Sequence, residues 1–375
     1  MPVVRTKKTL KQVVKGKLPK TAKRQKEPLW KGPEVDGVTQ SLLSSFLVCR
    51  ERFRLQVIEG LGEPDEFSHA LEYGNMWHEC EEGGKDWPNR LKMYCKGLCR
   101  KYPLQQEQIV HWMNVCKTAF TTYLKFWKGY DRKEKIKPLL KEHVFSVPYK
   151  LPSGRVVILR GKWDGVCLAG NSVYLWENKT KGVIVEQLLR RQLTFDLQTM
   201  FYFAAFCESS SEASRHGTPK GLIYNVVRRP LSGGKGSISR LKEKVYKRKD
   251  GTISKRVPEE AGKAFYERLR VIIEEDPGYF FVRWKVGIFK ADVNRFKREF
   301  LDPILEQLCD WYGWVSNDND PFGMNLDTEG YIHWRHPYGV WNPMDQGRPS
   351  EMDEYLASGS ELGLVRRDKL FEELE

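Results

Sequence analysis

The pattern of apolar and polar positions predicts strands in the middle of the chain and helices on either side. Residues 156–168 are apolar and β-branched with polar residues mainly at the ends, which is typical of a strand. The predicted strands are 143–151, 156–168, 173–179, 221–229 and 279–289. Helical periodicity predicts helices over 39–61, 67–82, 104–127, 185–207, 258–275, 291–314 and 351–373.

This order of elements predicts the fold class. An α/β (α+β) protein is expected, with a mixed central β-sheet flanked by helices and a helical N-terminal portion. A chain of 375 residues is long enough for one elaborated domain or two.

A hairpin between two of the strands groups three charged side chains. Gly170-Asn171 is a favoured two-residue hairpin turn, and counting back from it places Asp164 opposite Glu177. Directly opposed residues project from the same face with Cβ atoms roughly 5 Å apart. Because side chains alternate along a strand, Lys179 shares that face and Asn178 points away.

The close pair of carboxylates admits two interpretations. Asp164 and Glu177 repel one another unless a cation lies between them, and their hard oxygen atoms suit Mg²⁺ or Mn²⁺. Alternatively, they form a solvated cross-strand pair on an ordinary hairpin. The unfavourable contact between opposed like charges weighs against that second interpretation.

Two helical segments carry further candidate groups. His78 and Glu82 are four residues apart, so they share a helix face and suit either a metal ligand with its supporting carboxylate or a surface pair. Gln198 and Tyr202 also share a face and offer hydrogen bonds to a phosphate or a base. The alternative is that Tyr202 belongs to the core and Gln198 is only a good helix former.

The net charge indicates a polyanionic partner. The formal charge is +14 and the pI is about 9.2, a balance that suits nucleic acid. Residues 1–31 contain eleven Lys or Arg and one acid, which predicts a disordered basic arm. Residues 231–256 form a second basic stretch, interrupted by Gly and Ser, and are expected to be a mobile loop. With no signal peptide or membrane span in the sequence, a soluble cytoplasmic protein is expected.

The order of these clusters resembles a known superfamily. The chain contains G-x3-H-x3-E, G-x-x-D-G, E-x-K-T-K and D-x-Q-x3-Y, ending at Glu82, Gly165, Lys181 and Tyr202 respectively. Together they resemble the PD-(D/E)XK nuclease superfamily, and more closely its RecB-like branch, which includes phage exonucleases and CRISPR-adaptation nucleases. The similarity covers about residues 38 to 345.

The resemblance implies a catalytic role for the hairpin. Asp164 and Glu177 would bind Mg²⁺ or Mn²⁺, together with His78 and the backbone carbonyl of Asn178. Lys179 would position or activate water and steady the phosphate.

The resemblance also implies DNA contacts. Gln198 and Tyr202 would hold DNA near the cleavage site, with Lys181 as a further DNA-binding residue, and Glu82 would be a supporting ligand.

An iron–sulfur cluster, which several relatives carry, is not expected. Cys49 lies where the first cluster ligand would be, but residues 322–344 contain no cysteine. A cluster needs a nearly complete set of thiolates.

The expected organisation is a basic arm (1–37), a nuclease domain (38–345, with the basic loop 231–256) and a C-terminal helix (346–375). The expected function is a metal-dependent DNA exonuclease in phage-type recombination or DNA end processing, in a bacterial or phage-infected cell. DNA ends are the expected partner, with a recombinase, a single-strand-binding protein or further copies of the chain as additional ones. A structure- or sequence-specific endonuclease and a catalytically retired DNA-binding protein are the alternatives.

Overall fold

The computed structural model describes residues 28–48, 50–62, 65–194, 196–230, 238–249, 251–316, 365–371 and 374. The helices are α1 (Gln40–Val48), α2 (Arg50–Phe53), α3 (His69–Gly83), α4 (Trp87–Lys101), α5 (Gln106–Lys133), α6 (Glu186–Thr194), α7 (Leu197–Glu208), α8 (Gly262–Glu275), α9 (Pro277–Phe280), α10 (Lys290–Phe296) and α11 (Asp302–Ser316). The strands are β1 (Leu61–Gly62), β2 (Ile136–Lys150), β3 (Val156–Ala169), β4 (Ser172–Lys181), β5 (Gly221–Arg228), β6 (Lys244–Lys247), β7 (Ile253–Val257), β8 (Phe281–Gly287) and β9 (Val365–Arg366).

A mixed sheet of five strands forms the centre of the protein, as predicted. Its order is β2-β3-β4-β5-β8, and only β4 and β5 run parallel among neighbours in this sheet. The helices α6 and α7 connect these two parallel strands, because a parallel pair needs a crossover. The α/β class with flanking helices is therefore confirmed.

The hairpin of β3 and β4 has the predicted register, and then it opens. Ala169 pairs with Ser172 and Gly165 pairs with Trp176 around a turn at Gly170, whose φ is 61°. Upstream of Gly165, β3 no longer pairs with β4, and its partners are β2 and, at Leu159, an isolated bridge to Val38. Beyond Trp176, the ladder partner of β4 is β5. The two strands therefore form a fork, and the residues that follow the last pair stand at its opening.

Two apolar clusters hold the sheet between helices. The first joins α1, α7 and α11 to β2, β3 and β4, and it includes the fully buried Phe46, Phe201 and Phe203. The second joins α3, α4, α5 and α8 to the end of β5 and the start of β8, around Trp77 and Phe120. The sheet is thus covered by helices whose apolar faces the periodicity identified.

Several predicted boundaries are wrong for local reasons. The helix expected over 185–207 is two helices, because Asp196 accepts the backbone N–H of Thr199 at 2.8 Å and so begins α7. The helix α4 was not predicted, and β2 begins at Ile136, seven residues earlier than expected.

The predicted arm boundary at residue 37 is also wrong. Trp30 is fully buried, and its Nε1 donates to the carbonyl of Gly37 at 2.9 Å. Val38 forms a bridge with Leu159 of β3. Residues 28–38 therefore pack against the domain, while residues 1–27 of the predicted arm lie outside the described residues.

Two further predictions need correction. The basic segment 231–256 was expected to be a loop, but it contains the paired strands β6 and β7, with 231–237 and 250 outside the described residues. In the predicted C-terminal helix, Val365–Arg366 is instead a strand paired with β1. The rest of that helix up to 364, Cys49 and residues 322–344 lie outside the described residues.

Across the described ranges, the helices are either too short or too polar to traverse a lipid bilayer.

Candidate active site

The opening of the β3–β4 fork holds the first candidate carboxylate. Asp164 lies one residue beyond the last pair of the hairpin, with its side chain 11% exposed. Its Oδ2 accepts the backbone N–H of Asn178 at 2.7 Å, so the carboxylate spans the fork. A hydrogen bond from a fixed backbone donor orients the other oxygen, which is left to face the helix α3.

The helix α3 brings a histidine to this oxygen. Nδ1 of His78 is 3.9 Å from Oδ1 of Asp164 and donates to Oε1 of Glu142 at 3.0 Å. In the described part of the chain, His78, Glu142 and Asp164 are the group whose ligand atoms all lie within 4.8 Å of one another. One imidazole and two carboxylates at this spacing can coordinate a divalent cation.

Glu142 is the site residue that the sequence reasoning missed. It lies in β2 between the pairs Lys141–Gly165 and His143–Trp163, so it stands opposite Asp164. Its φ of 43° is in the left-handed region, an uncommon conformation for a residue other than glycine, and such residues concentrate at functional sites. Its carboxylate is 2% exposed. The available signal was that Glu142 is the only acid in β2, but the predicted strand began one residue after it.

Three more predicted residues form a second group on the other arm of the fork. Nζ of Lys179 lies 2.6 Å from Oε1 of Glu177 and donates to Oε1 of Gln198 at 2.8 Å. Nε2 of Gln198 donates to the same oxygen of Glu177 at 2.9 Å. The helix α7 therefore fixes both side chains of the E-x-K motif, because its residue Gln198 is a partner of each.

The electrostatics of the two groups are coupled. Burial and the nearby charge of Asp164 raise the pKa of Glu177 to about 7. Burial also raises the pKa of Asp164, although His78 opposes this. Burial alone would lower the pKa of His78, but Asp164 and Glu142 together raise it to about 9. Burial and a neighbouring carboxylate thus both oppose ionisation of Glu177 and Asp164.

This donor set fits a divalent cation. The cluster offers carboxylate oxygens and an imidazole nitrogen, and Asp164 has one oxygen already fixed by the backbone. Burial and, after it, a neighbouring carboxylate raise the pKa values of Asp164 and Glu177, and a bound cation would favour their charged forms. Lys162 lies 2.9 Å from the second oxygen of Glu142 and so holds this carboxylate from the opposite side.

Two motif glycines allow the elements to approach. A Cβ on Gly74 would lie 3.3 Å from Oγ1 of Thr180, so the absence of a side chain lets α3 pack close to β4 one turn before His78. A Cβ on Gly161 would lie 2.7 Å from the ring of Phe145. These glycines therefore serve the packing that brings the polar groups together.

The other predicted residues lie at varying distances from this centre. Glu82 was expected to support the ligands, but its carboxylate pairs with Arg90 at 3.0 Å. Glu142 takes the place next to His78. The ring of Tyr202 packs edge-on against Phe145, with centroids 5.6 Å apart. Lys181 is at the end of β4, two residues beyond Lys179 on the same strand.

The side chain of Asn178 lies on the opposite face of β4, as predicted. Its Oδ1 accepts from Nδ2 of Asn225 at 2.8 Å, and the same Asn225 nitrogen donates to the hydroxyl of Tyr123 at 2.7 Å. Arg283 donates to Tyr123 at 3.3 Å and forms an ion pair with Asp131. A buried polar network, which no sequence motif indicated, therefore lies directly behind the candidate site.

Comparison with known proteins gives one family match. A family model for the PD-(D/E)XK nuclease superfamily matches residues 38–294, a range that contains every residue of the two groups above. No curated protein matches the chain significantly.

Proposed function

The chain belongs to the PD-(D/E)XK nuclease superfamily, and we propose that it is a Mg²⁺- or Mn²⁺-dependent DNA exonuclease. Membership of the superfamily gives the coarser statement, a metal-dependent nuclease. The exonuclease activity, the RecB-like branch and a role in phage-type recombination or end processing extend it. They are supported by the order of the four sequence motifs around His78, Asp164, Lys179 and Gln198.

One observation carries the proposal. The E-x-K pair of Glu177 and Lys179 lies on one arm of the strand fork, held by Gln198, and the His78–Glu142–Asp164 group lies on the other. Phosphodiester hydrolysis needs both a place for a cation and a fixed ammonium beside it. In this protein the candidate cation site and the ammonium of Lys179 are adjacent.

Asp164, Glu142 and His78 would hold the cation, with Glu177 and the carbonyl of Asn178 as additional ligands. A bound divalent ion there would supply Lewis-acid stabilisation of the scissile phosphate and lower the pKa of a coordinated water. A catalytically retired protein would have no need to keep these buried like charges, whose repulsion opposes folding.

The protein's own groups perform the remaining tasks. The ammonium of Lys179 donates to a non-bridging oxygen of the scissile phosphate or orients the attacking water, because its other hydrogen bonds already fix its position. Gln198 keeps Lys179 and Glu177 in this geometry. Tyr202 lies one turn further along α7 and in this proposal contacts the bound DNA.

The DNA end would lie at the opening of the fork, close to Lys179 and Lys181. In this proposal a recombinase or single-strand-binding protein takes up the processed strand. Cleavage of closed circles would instead support a structure- or sequence-specific endonuclease.

Digestion of linear and closed circular DNA tests the proposal. Wild-type protein should degrade end-labelled linear DNA in Mg²⁺ or Mn²⁺ and should leave closed circles intact. Lys179→Ala should lose this activity, while Lys117→Ala, on an exposed position of α5, should retain it. Absence of cleavage by the wild type with either ion would refute the nuclease, and cleavage of circles would refute the strict exonuclease.

A further inference from the structure

The hairpin of β6 and β7 projects from the protein as an isolated ribbon. Within the described ranges, these two strands pair only with one another, and every residue of β7 is exposed. A two-stranded ribbon without a third element is only marginally stable in water. The ribbon is therefore expected to be stabilised by contact with a partner.

The side chains of this ribbon combine positive charge with apolar surface. Each of the four cross-strand pairs joins one Lys or Arg to one apolar or aromatic residue: Lys244–Val257, Val245–Arg256, Tyr246–Lys255 and Lys247–Ile253. Residues 238–257 contain eight Lys or Arg and two acids. Ile253 is 58% exposed and Tyr246 is 49% exposed. Apolar and cationic side chains therefore lie side by side on this exposed ribbon.

The base of the ribbon is fixed to the domain. The backbone N–H of Glu260 donates to the carbonyl of Leu241 at 2.9 Å, and the side-chain Oε2 of Glu260 accepts the backbone N–H of Leu241 at 3.1 Å. Arg268 of α8 pairs with both oxygens of Glu260 and donates to the carbonyl of Ser239 at 2.8 Å. The ribbon is therefore an arm with an anchored base.

The strand that precedes the ribbon in the chain, β5, runs beside the candidate active site. The strands β4 and β5 are parallel, so Lys181 and Arg228 end at the same edge. The next residue, Arg229, donates its backbone N–H to the carbonyl of Lys181 at 2.8 Å. The chain thus leaves the sheet where Lys179 and Lys181 lie, and residues 231–237, which join this point to the ribbon, lie outside the described residues.

We propose that the β6–β7 ribbon enters a groove of duplex DNA and holds the double-stranded part of the substrate beside the active site. This inference rests on the proposed nuclease function. An antiparallel two-stranded ribbon fits the major groove, which is about 12 Å wide. Cations on the ribbon would face phosphates on either side, and its apolar side chains would face the sugars and base edges.

The composition of the ribbon favours duplex over single-stranded DNA. Proteins that bind single strands stack successive bases on several aromatic side chains. In β6 and β7, Tyr246 is the single aromatic residue, whereas cations occur in every cross-strand pair. Phosphate contacts on two sides are the chemistry of a duplex groove.

Binding of labelled DNA, measured by fluorescence anisotropy in EDTA to prevent cleavage, tests this. The ribbon variant carries Lys244→Gln, Lys255→Gln and Arg256→Gln. A duplex of about 20 base pairs, roughly two helical turns, and one of its single strands are the probes. The ribbon variant should bind the duplex at least about tenfold more weakly, and its salt dependence (the slope of log K against log salt) should fall by about 2 to 3, or ~0.9 per lost phosphate contact.

A charge-matched variant provides the control. Lys290→Gln, Arg295→Gln and Arg298→Gln remove the same charge from exposed residues that follow β8, whose last residue pairs with the first residue of β5 and so lies at the opposite end of the sheet from Arg228. This control should bind the duplex within about twofold of the wild type. Equal losses for both variants, or an equal loss on single-stranded DNA, would overturn the proposal.

A second variant tests the anchored base. Glu260→Ala removes the partner of Leu241 and Arg268 while making the protein more positive by one charge. If DNA binding requires the base of the ribbon to be anchored, this variant should bind the duplex more weakly despite its added positive charge. Tighter binding would show that charge alone matters and would overturn the proposal. Wild-type cleavage with Mg²⁺, measured separately, decides the nuclease function independently of either binding result.

Discussion

The two faces of β4 differ sharply, although they are built from adjacent residues. On the side of α7, Glu177 and Lys179 project towards Gln198 and towards the charges of Asp164 and His78. On the side of α5, Asn178 projects into hydrogen bonds with neighbouring side chains. The first face concentrates like charge, and the second has its polar groups paired.

One guanidinium is the centre of the network behind the site. Arg283 is 3% exposed, pairs with Asp131, and lies over the rings of Trp127 and Trp176 at 4.0 and 4.5 Å. It also donates to Oδ1 of Asn225 at 3.4 Å. A satisfied buried network makes a structure rigid, whereas an unbalanced cluster is available to a ligand. We therefore expect residues on the face towards α5 to stabilise β4 and residues on the face towards α7 to take part in catalysis.

The largest expected effect is a loss of cleavage activity when Asp164, on the face towards α7, is changed. Asp164→Asn should reduce cleavage by roughly 1000-fold, because it removes a charge needed for the cation. Its melting temperature without metal should not fall, since the substitution relieves repulsion with Glu177. Rates from end-labelled DNA and a thermal melt give the two quantities.

The matched control is Asp131→Asn on the face towards α5. It should lower the melting temperature, because Arg283 loses its partner, and should change the cleavage rate of the folded protein by less than about tenfold. If the two Asp→Asn substitutions had the same pair of effects, the division between the faces would be wrong.

The second effect concerns stability. Arg283→Met should lower the free energy of unfolding by about 2–4 kcal/mol, because Asn225 and Tyr123 lose a buried partner. The value lies at the lower part of the range for buried ion pairs since Asp131 is 37% exposed. Urea titration measures the loss.

Arg270→Met, which removes an exposed pair with Glu274, is the control and should leave the urea midpoint nearly unchanged. An equally small change for Arg283→Met would show that the network behind the site contributes little.

The smallest effect distinguishes two carboxylates near His78. Glu142→Gln should weaken Mn²⁺ binding by about 10- to 100-fold, as expected for a ligand or its immediate support. Glu82→Gln should change it by less than about twofold, because Glu82 pairs with Arg90. Isothermal titration with Mn²⁺ measures both. The reverse ranking would show that Glu82, as the sequence predicted, supports metal binding and that Glu142 does not.

Much of the site followed from local sequence rules. The turn at Gly170 and strict alternation fixed which residues of β3 and β4 share a face, and the register agrees pair by pair. Helical spacing likewise placed Gln198 and Tyr202 on one side of α7. These predictions worked because they depend on neighbours along the chain, where backbone geometry leaves few choices.

The misses have a different origin. Glu142 and the network of Arg283 join residues far apart in sequence, and no spacing rule relates them: Arg283 and Asp131 are 152 positions apart. The ribbon was mistaken for a loop because its strands carry cations where buried strands carry apolar residues. Trp30 is buried because the rings of Phe53 and Tyr312, which are distant in the sequence, pack against it.

Local periodicity and the order of the motifs were enough to predict the fold class, the superfamily and the pairing of the β3–β4 hairpin. The opening of the hairpin into a fork, the position of Glu142 rather than Glu82 beside His78, and the buried network behind the site became visible only in the folded protein. The burial and the electrostatic environment of a side chain depend on every element around it, and these surroundings form only when α3, α5, α7 and the sheet pack together.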